Sequence, residues 1–232
     1  MTFQVNDLDQ RDAAPVAGPF TMVMGKSALD PTLYRSTGKR LFDLFLVFAS
    51  LPVVLPIVAF LAVLVALDGH SPFYTQNRVG RFGKVFRIYK LRTMVPDAKA
   101  SLDTYLARNQ EARAEWERNQ KLREDPRITR LGHFLRRSSL DELPQLLNVF
   151  LGDMSLVGPR PMMIEQTPLY PSMSYYMLRP GVTGPWQVSE RNGTTFAARA
   201  GFDTEYNRTL SLRTDVGILA RTVAVVLRGT GC

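Results

Sequence analysis

Asp141 and Glu142 stand side by side in Ser138-Ser139-Leu140-Asp141-Glu142-Leu143-Pro144-Gln145-Leu146, with Arg136 and Arg137 just before them and Gly158-Pro159-Arg160-Pro161 just after. Adjacent acids bracketed by arginines suit metal-assisted phosphoryl transfer. A carboxylate among fixed positive charges stays ionised and serves as nucleophile or metal ligand, while each guanidinium can fork onto a phosphate. A plainer reading is a helix capping box over Ser139-Leu140-Asp141-Glu142, with Glu142 bonding back to the Ser139 amide. Pro144 speaks against it. A helix starting at Ser139 would put the proline ring at its fifth position, whereas a start at Leu143 makes Pro144 the favoured first helical residue. Asp141 is also an acid that the box does not require.

Arg160, held between two prolines, is preorganised for a phosphate or is simply an exposed loop arginine. Gln187, Arg191 and Asn192 could contact a base or ribose. His70 and His133 are isolated and read as surface or satisfied core residues. The sequence contains no Gly-x-x-x-x-Gly-Lys-Ser/Thr loop, no Gly-x-Ser-x-Gly elbow and no His-Glu-x-x-His pair, which argues against a P-loop kinase, a serine hydrolase and a zinc protease.

Something must hold these residues in place, and one element stands out. From Leu41 to Leu67 the only charge is Asp43, and the run is long enough to span a bilayer, which takes roughly 20 residues. Two features favour a helix-break-helix hairpin over a straight span or a buried soluble helix. Pro52 and Pro56 fall mid-run, where each removes a backbone hydrogen bond. Basic residues also flank both ends, Lys26, Arg35, Lys39 and Arg40 before it and Arg78, Arg81, Lys84 and Arg87 after it, which asks for both ends on the cytoplasmic side.

Downstream, Ser71 to Gly80 and Lys84 to Lys90 read as two strands with a basic polar side. Ala98 to Arg123 reads as a mostly exposed helical region anchored by Leu102, Tyr105, Leu106 and Trp116, with further short helices at Ile128–Arg137 and Gln145–Phe150. Thr214 to Leu227 is amphipathic, and its side carrying Val216, Leu219, Val223, Val226 and Leu227 is expected to pack on the core rather than on lipid. The expected architecture is α/β mixed: a tail over 1–35 without structure, a re-entrant membrane helix hairpin over 36–69, and a catalytic domain over 70–232 made of a small basic sheet and interfacial amphipathic helices.

The 232 residues, 45% of them hydrophobic, are enough to bury a core, and the formal net charge of +8 calls for an anionic partner: nucleic acid, a lipid surface or a nucleotide-sugar. No nucleic-acid recognition motif accompanies the charge, so nucleic acid is not expected. The single cysteine, Cys232, excludes an intrachain disulfide framework and a zinc-type cysteine cluster.

The motifs Lys39-Arg40-Leu41-Phe42-Asp43, Thr75-Gln76-Asn77-Arg78-Val79-Gly80, Lys90-Leu91-Arg92-Thr93-Met94, Ser139-Leu140-Asp141-Glu142-Leu143-Pro144-Gln145, Gly152 to Pro161 and Arg179-Pro180-Gly181-Val182-Thr183-Gly184 occur in an order that resembles the bacterial sugar transferases. These are monotopic polyprenyl-phosphate hexose-1-phosphate transferases, and the resemblance runs from about residue 36 onward. It implies transfer of a sugar-1-phosphate from a UDP-sugar donor to an undecaprenyl phosphate acceptor, with release of UMP, at the cytoplasmic face of the bacterial inner membrane. It implies Asp141 as nucleophile and Mg²⁺ as cofactor. Glu142 is the magnesium ligand or, alternatively, a general base; Arg136 and Arg160 are phosphate contacts, and Arg191, with Gln187, lies near the nucleotide. The family's membrane helix breaks at a Ser-Pro pair; Leu55 stands at the serine position here, and Pro52 is an added break. Pro185 and Glu190 also depart from the commoner loop forms. The region Glu115 to Arg127 looks most like the exopolysaccharide branch, favouring galactose or glucose. A catalytically inactive, membrane-anchored scaffold for glycan-assembly enzymes is the rival reading, and the exposed helical region could serve a homo-oligomer interface.

Overall fold

The computed structural model describes residues 33–119, 122, 124–189 and 196–228. Most of the expected tail lies outside these residues, but positions 33–35 are helical, and Tyr34–Gly38 forms a π-turn that leads straight into α1, Lys39–Ala66. Pro52 and Pro56 both lie inside α1, so the two expected arms form a single element. Proline deprives a carbonyl one turn earlier of its donor. Beside that gap the Ser50 hydroxyl donates to Val47 O at 2.8 Å, a local bond of the kind that bends helices. Only 11% of the most apolar stretch of Tyr34–Ala66 is buried, which sets aside a soluble core helix.

Both ends of α1 are tied to the rest of the protein. Near its start, Arg40 donates to the carbonyls of Val149 and Phe150, and buried Asp43 accepts from Ser155 Oγ at 2.8 Å and Leu156 N at 3.2 Å. At its far end, Arg92 donates to Val65 O at 3.1 Å and forks onto Asp68 at 2.6 and 2.8 Å. Between these ties, Val53, Leu55, Ile57 and Phe60 are exposed.

Strands β1, Phe73–Val79, and β2, Val85–Leu91, pair antiparallel with Phe73 opposite Leu91 and Val79 opposite Val85. Side chains alternate along a strand, so Phe86, Ile88 and Lys90 share a face. Phe86 and Ile88 enter the main core with Val47, Val149, Met154, Val157, Leu178, Tyr206 and Ile218. The helical insertion follows as α2, Ala98–Arg108, and α3, Gln110–Asn119, broken at Asn109 rather than continuous. Its own small cluster is Leu102, Ala112 and Leu122 with Tyr105, Leu106 and Trp116.

Next come α4, Arg130–Ser138, and α5, Gln145–Leu151. Asn148 docks α5 on the sheet: its amide accepts from Tyr89 N at 3.1 Å and donates to Arg87 O at 2.7 Å, and the residue is fully buried. Strand β3, Ser155–Val157, pairs in parallel with β4, Gly181–Thr183, with the short helix α6, Ser174–Met177, between them. The last elements are α7, Arg199–Thr209, and α8, Leu212–Leu227. Asp215 in α8, fully buried, accepts from Tyr34 Oη at 2.6 Å, Lys39 Nζ at 2.7 Å and Tyr206 Oη at 2.6 Å, which fastens α8 to the entrance of α1.

The expectation for α8 needs correction. Its core-facing residues are Asp215 and Ile218, with Leu219 half-buried against them, whereas Val216, Val223, Val226 and Leu227 are exposed, Leu227 by 82%. Phe134 of α4 and Leu147, Phe150 and Leu151 of α5 are also exposed, and the Phe150 ring meets Phe48 of α1 edge-on at 5.8 Å.

Candidate active site

Asp141 and Glu142 sit on a 3-10 turn, Leu140–Glu142, between α4 and α5. Thr129 starts α4 by accepting from Gly132 N at 2.9 Å, and Ser139 ends it in the left-handed region at φ 57. That reversal folds the chain back so that the acids face the strands. The capping box does not form: Ser139 offers its carbonyl to Glu142 N at 3.2 Å, with no side-chain cap, and the Glu142 carboxylate is engaged elsewhere. Pro144, with helical angles, immediately precedes α5.

The partner of the acids is Lys90. Its ammonium donates to Glu142 Oε1 at 2.6 Å and lies 3.8 Å from Asp141 Oδ2. Asp141 is only 6% exposed. Burial pushes its carboxyl above the usual range and the charge of Glu142 adds to that, while Lys90, Arg136 and Arg160 pull it down. Arg136, in the last turn of α4, is fixed by its Nε, which donates to Thr93 Oγ1 at 2.9 Å. Thr93 O in turn accepts from Thr129 N at 3.0 Å, so the end of β2 and the start of α4 are bonded together.

Arg160 follows β3 and is the centre of a wider cationic group. Its charge acts on Asp141, Arg136, Arg78 and Arg199. Burial, and then repulsion from Arg160, lowers the guanidinium of Arg78; the same two causes bring Arg199 down to about 10. The scaffold is an aromatic cluster of Tyr170, Tyr175 and Tyr176 with Phe196. Tyr175 Oη donates to Val79 O at 2.5 Å and accepts from Met162 N at 3.1 Å, holding the backbone beside Arg78 next to the backbone beside Arg160. Tyr170 donates to Asp203, one turn beyond Arg199. Among the described residues no ion pair neutralises Arg78, Arg136, Arg160 or Arg199. Four cations held together by buried structure favour a multiply charged anion.

Of the residues singled out from the sequence, Asp141, Glu142, Arg136 and Arg160 come together. Gln187 lies in the loop after β4, and both atoms of its buried amide lack a partner, which suits a ligand with its own donors and acceptors. Arg191 lies outside the described residues. Lys90, Thr93, Arg78 and Arg199 were not given a role from the sequence. Lys90 and Arg78 had a usable signal, since both stand inside ordered motifs; Arg199 had none.

Two cavities, of about 720 Å³ at the start of α2 and about 460 Å³ between α7 and α8, lie away from the acid pair. No group of three or more His, Cys, Asp or Glu able to hold a metal occurs among the described residues. A magnesium ion asks for less, one or two carboxylates completed by substrate phosphate and water, and the Asp141–Glu142 oxygens fit that donor set.

Residues 34–229 match the family described as bacterial sugar transferase. The chain is 46% identical over 195 residues to a UDP-galactose-lipid carrier transferase of Erwinia amylovora, and 46% identical over 195 residues to an undecaprenyl-phosphate galactose phosphotransferase of Salmonella typhimurium. Each match covers 83% of this chain and 41% of the relative, so the chain spans less than half the length of those proteins. It is 41% identical over 196 residues to the exopolysaccharide production protein ExoY of Sinorhizobium fredii, covering 83% of this chain and 87% of that one.

Proposed function

The chain belongs to the bacterial sugar transferase family, and on that premise we propose that it transfers hexose-1-phosphate from a UDP-sugar to undecaprenyl phosphate, releasing UMP and starting an exopolysaccharide or other surface glycan. The observation that carries this reading is one buried carboxylate, Asp141, set beside Lys90 and within the field of Arg136 and Arg160. In the first step an Asp141 oxygen attacks the phosphorus that bears the sugar, the bond from that phosphorus to the bridging oxygen breaks, and UMP leaves with the electron pair. In the second, an oxygen of the lipid phosphate attacks the same phosphorus and the Asp141 carboxylate leaves. Arg136 and Arg160 orient the transferring group and offset its charge. Lys90 favours the ionised form of Asp141 and so opposes the effect of burial. Glu142 would hold Mg²⁺, which would supply positive charge to offset that of the leaving phosphate. Galactose or glucose is the favoured sugar from the exopolysaccharide-like insertion, and the relatives named for a galactose reaction lean toward galactose.

The acceptor is a lipid, and the outer surface suits one. Both ends of α1 are tied to the catalytic elements while its middle is exposed, which supports a re-entrant element whose ends share one membrane face. The exposed apolar residues of α4, α5 and α8 support seating on that face, proposed as the cytoplasmic side of the inner membrane.

The test is UMP release from a panel of UDP-sugars with undecaprenyl phosphate and Mg²⁺, comparing the parent with Asp141→Asn. Loss of about a thousandfold or more in folded Asp141→Asn is expected for removal of a covalent nucleophile. Turnover equal to the parent would remove Asp141 from the chemistry. No release from any donor by folded, lipid-embedded parent would favour the scaffold.

A further inference from the structure

We infer that Arg199 and Arg160, set over the same Trp186 ring, form a second anion subsite beside Asp141 that takes the nucleoside-side phosphate of the donor's diphosphate. The inference rests on the reading above that the donor is a nucleotide-linked sugar phosphate. Arg199 is the first residue of α7, and its Cζ lies 4.0 Å from the centroid of Trp186 and 5.0 Å from that of Phe196. The Cζ of Arg160 lies 5.9 Å from the same Trp186 centroid. Two guanidiniums over one ring repel each other. The ring attracts both, yet a cation–π contact is worth only about 1–2 kcal/mol and does not cancel the cost of crowding buried charge.

The Arg199 Nε is buried and has no hydrogen-bond partner. Asp203 attracts Arg199 electrostatically but forms no ion pair with it, and its carboxylate accepts from Tyr170 instead. A buried donor left unmade is costly unless a ligand completes it. An oxyanion beside the two arginines would give Arg199 Nε its acceptor and both guanidiniums a counter-charge.

The position agrees with the chemistry. Arg160 shares the Trp186 ring with Arg199 and its charge also acts on Asp141, so it lies within reach of both. A diphosphate whose sugar-side phosphorus meets Asp141 on the Arg136–Arg160 side carries its other phosphate toward Arg160 and Arg199. When the phosphorus–oxygen bond breaks, the negative charge collects on that second phosphate, where Arg199 stabilises it.

The experiment is titration calorimetry of UMP and uridine against the full chain in detergent, for the parent, Arg199→Ala and Arg199→Lys. UMP affinity is expected to fall about tenfold or more in Arg199→Ala, the value of one or two charge-assisted hydrogen bonds, with uridine unchanged. Arg199→Lys keeps the charge without the fork and is expected to fold and to lose part of the preference for UMP over uridine. Equal loss of UMP and uridine would mean a structural role and overturn the subsite. UMP binding as tight as in the parent, in either variant, would overturn it too while leaving the donor reading intact. A parent that binds neither ligand would overturn the donor reading and the subsite together.

Discussion

Among the charges around Asp141, Lys90 is the strongest one that favours its ionised form. Burial raises the Asp141 carboxyl and the ammonium opposes it, so removing the ammonium lets the carboxyl climb further. On the proposed mechanism the ionised form is the nucleophile, so transfer is expected to be lost as pH falls through the apparent pKa of the pair. In Lys90→Met the acid limb of the kcat/KM profile is expected to move to higher pH, with a drop of about tenfold or more near pH 7. A limb that stays in place would mean that Lys90 serves Glu142 alone. The acids were readable because adjacent carboxylates between arginines are chemically conspicuous. Lys90 was not, because a lysine on a strand looks like any solvated charge until the fold brings it 52 positions forward to Glu142.

At the scale of elements, the approach of α4 to the end of β2 sets where Arg136 points. A Cβ on Gly132 would lie 2.0 Å from Thr93 O, so α4 can rest there only without a side chain. Alanine in a helix is ordinarily more stable than glycine by about 1 kcal/mol. Gly132→Ala is expected to reverse that sign, destabilising by roughly 1–3 kcal/mol as α4 is pushed from Thr93 and the Arg136–Thr93 bond is lost. Melting in detergent and turnover measured together check it: a variant at least as stable and active as the parent would show that the contact has slack. The elements themselves were legible in outline, since alternation marks β1 and β2, and apolar spacing marks α8. Which face of α8 is covered was not legible. Val216 and Val223 avoid water, but lipid and protein core leave the same pattern in a sequence, and the core took Ile218 and a carboxylate, Asp215, because three donors converge on it. Pro52 and Pro56 lie within one element rather than between two, since a helix can hold its remaining bonds around a missing donor.

For the molecule as a whole, a net charge of +8 and the exposed apolar residues of α1, α4, α5 and α8 support the proposed seat on anionic lipid, with both ends of α1 on one side. Single cysteines at Ser36 and His70, each in a Cys232→Ser background, are expected to react with an impermeant maleimide from the same side of sealed vesicles. Labelling from opposite faces would establish a span. The Asp215 clasp adds a dimension of time. Its partners Tyr34 and Lys39 precede it by 181 and 176 positions, so the ribosome delivers the apolar helix long before the carboxylate that fastens its entrance. During that interval Lys39 is without its Asp215 partner. On the proposed reading, birth order therefore separates arrival at the membrane from completion of the fold: the helix is berthed before its fastening carboxylate exists.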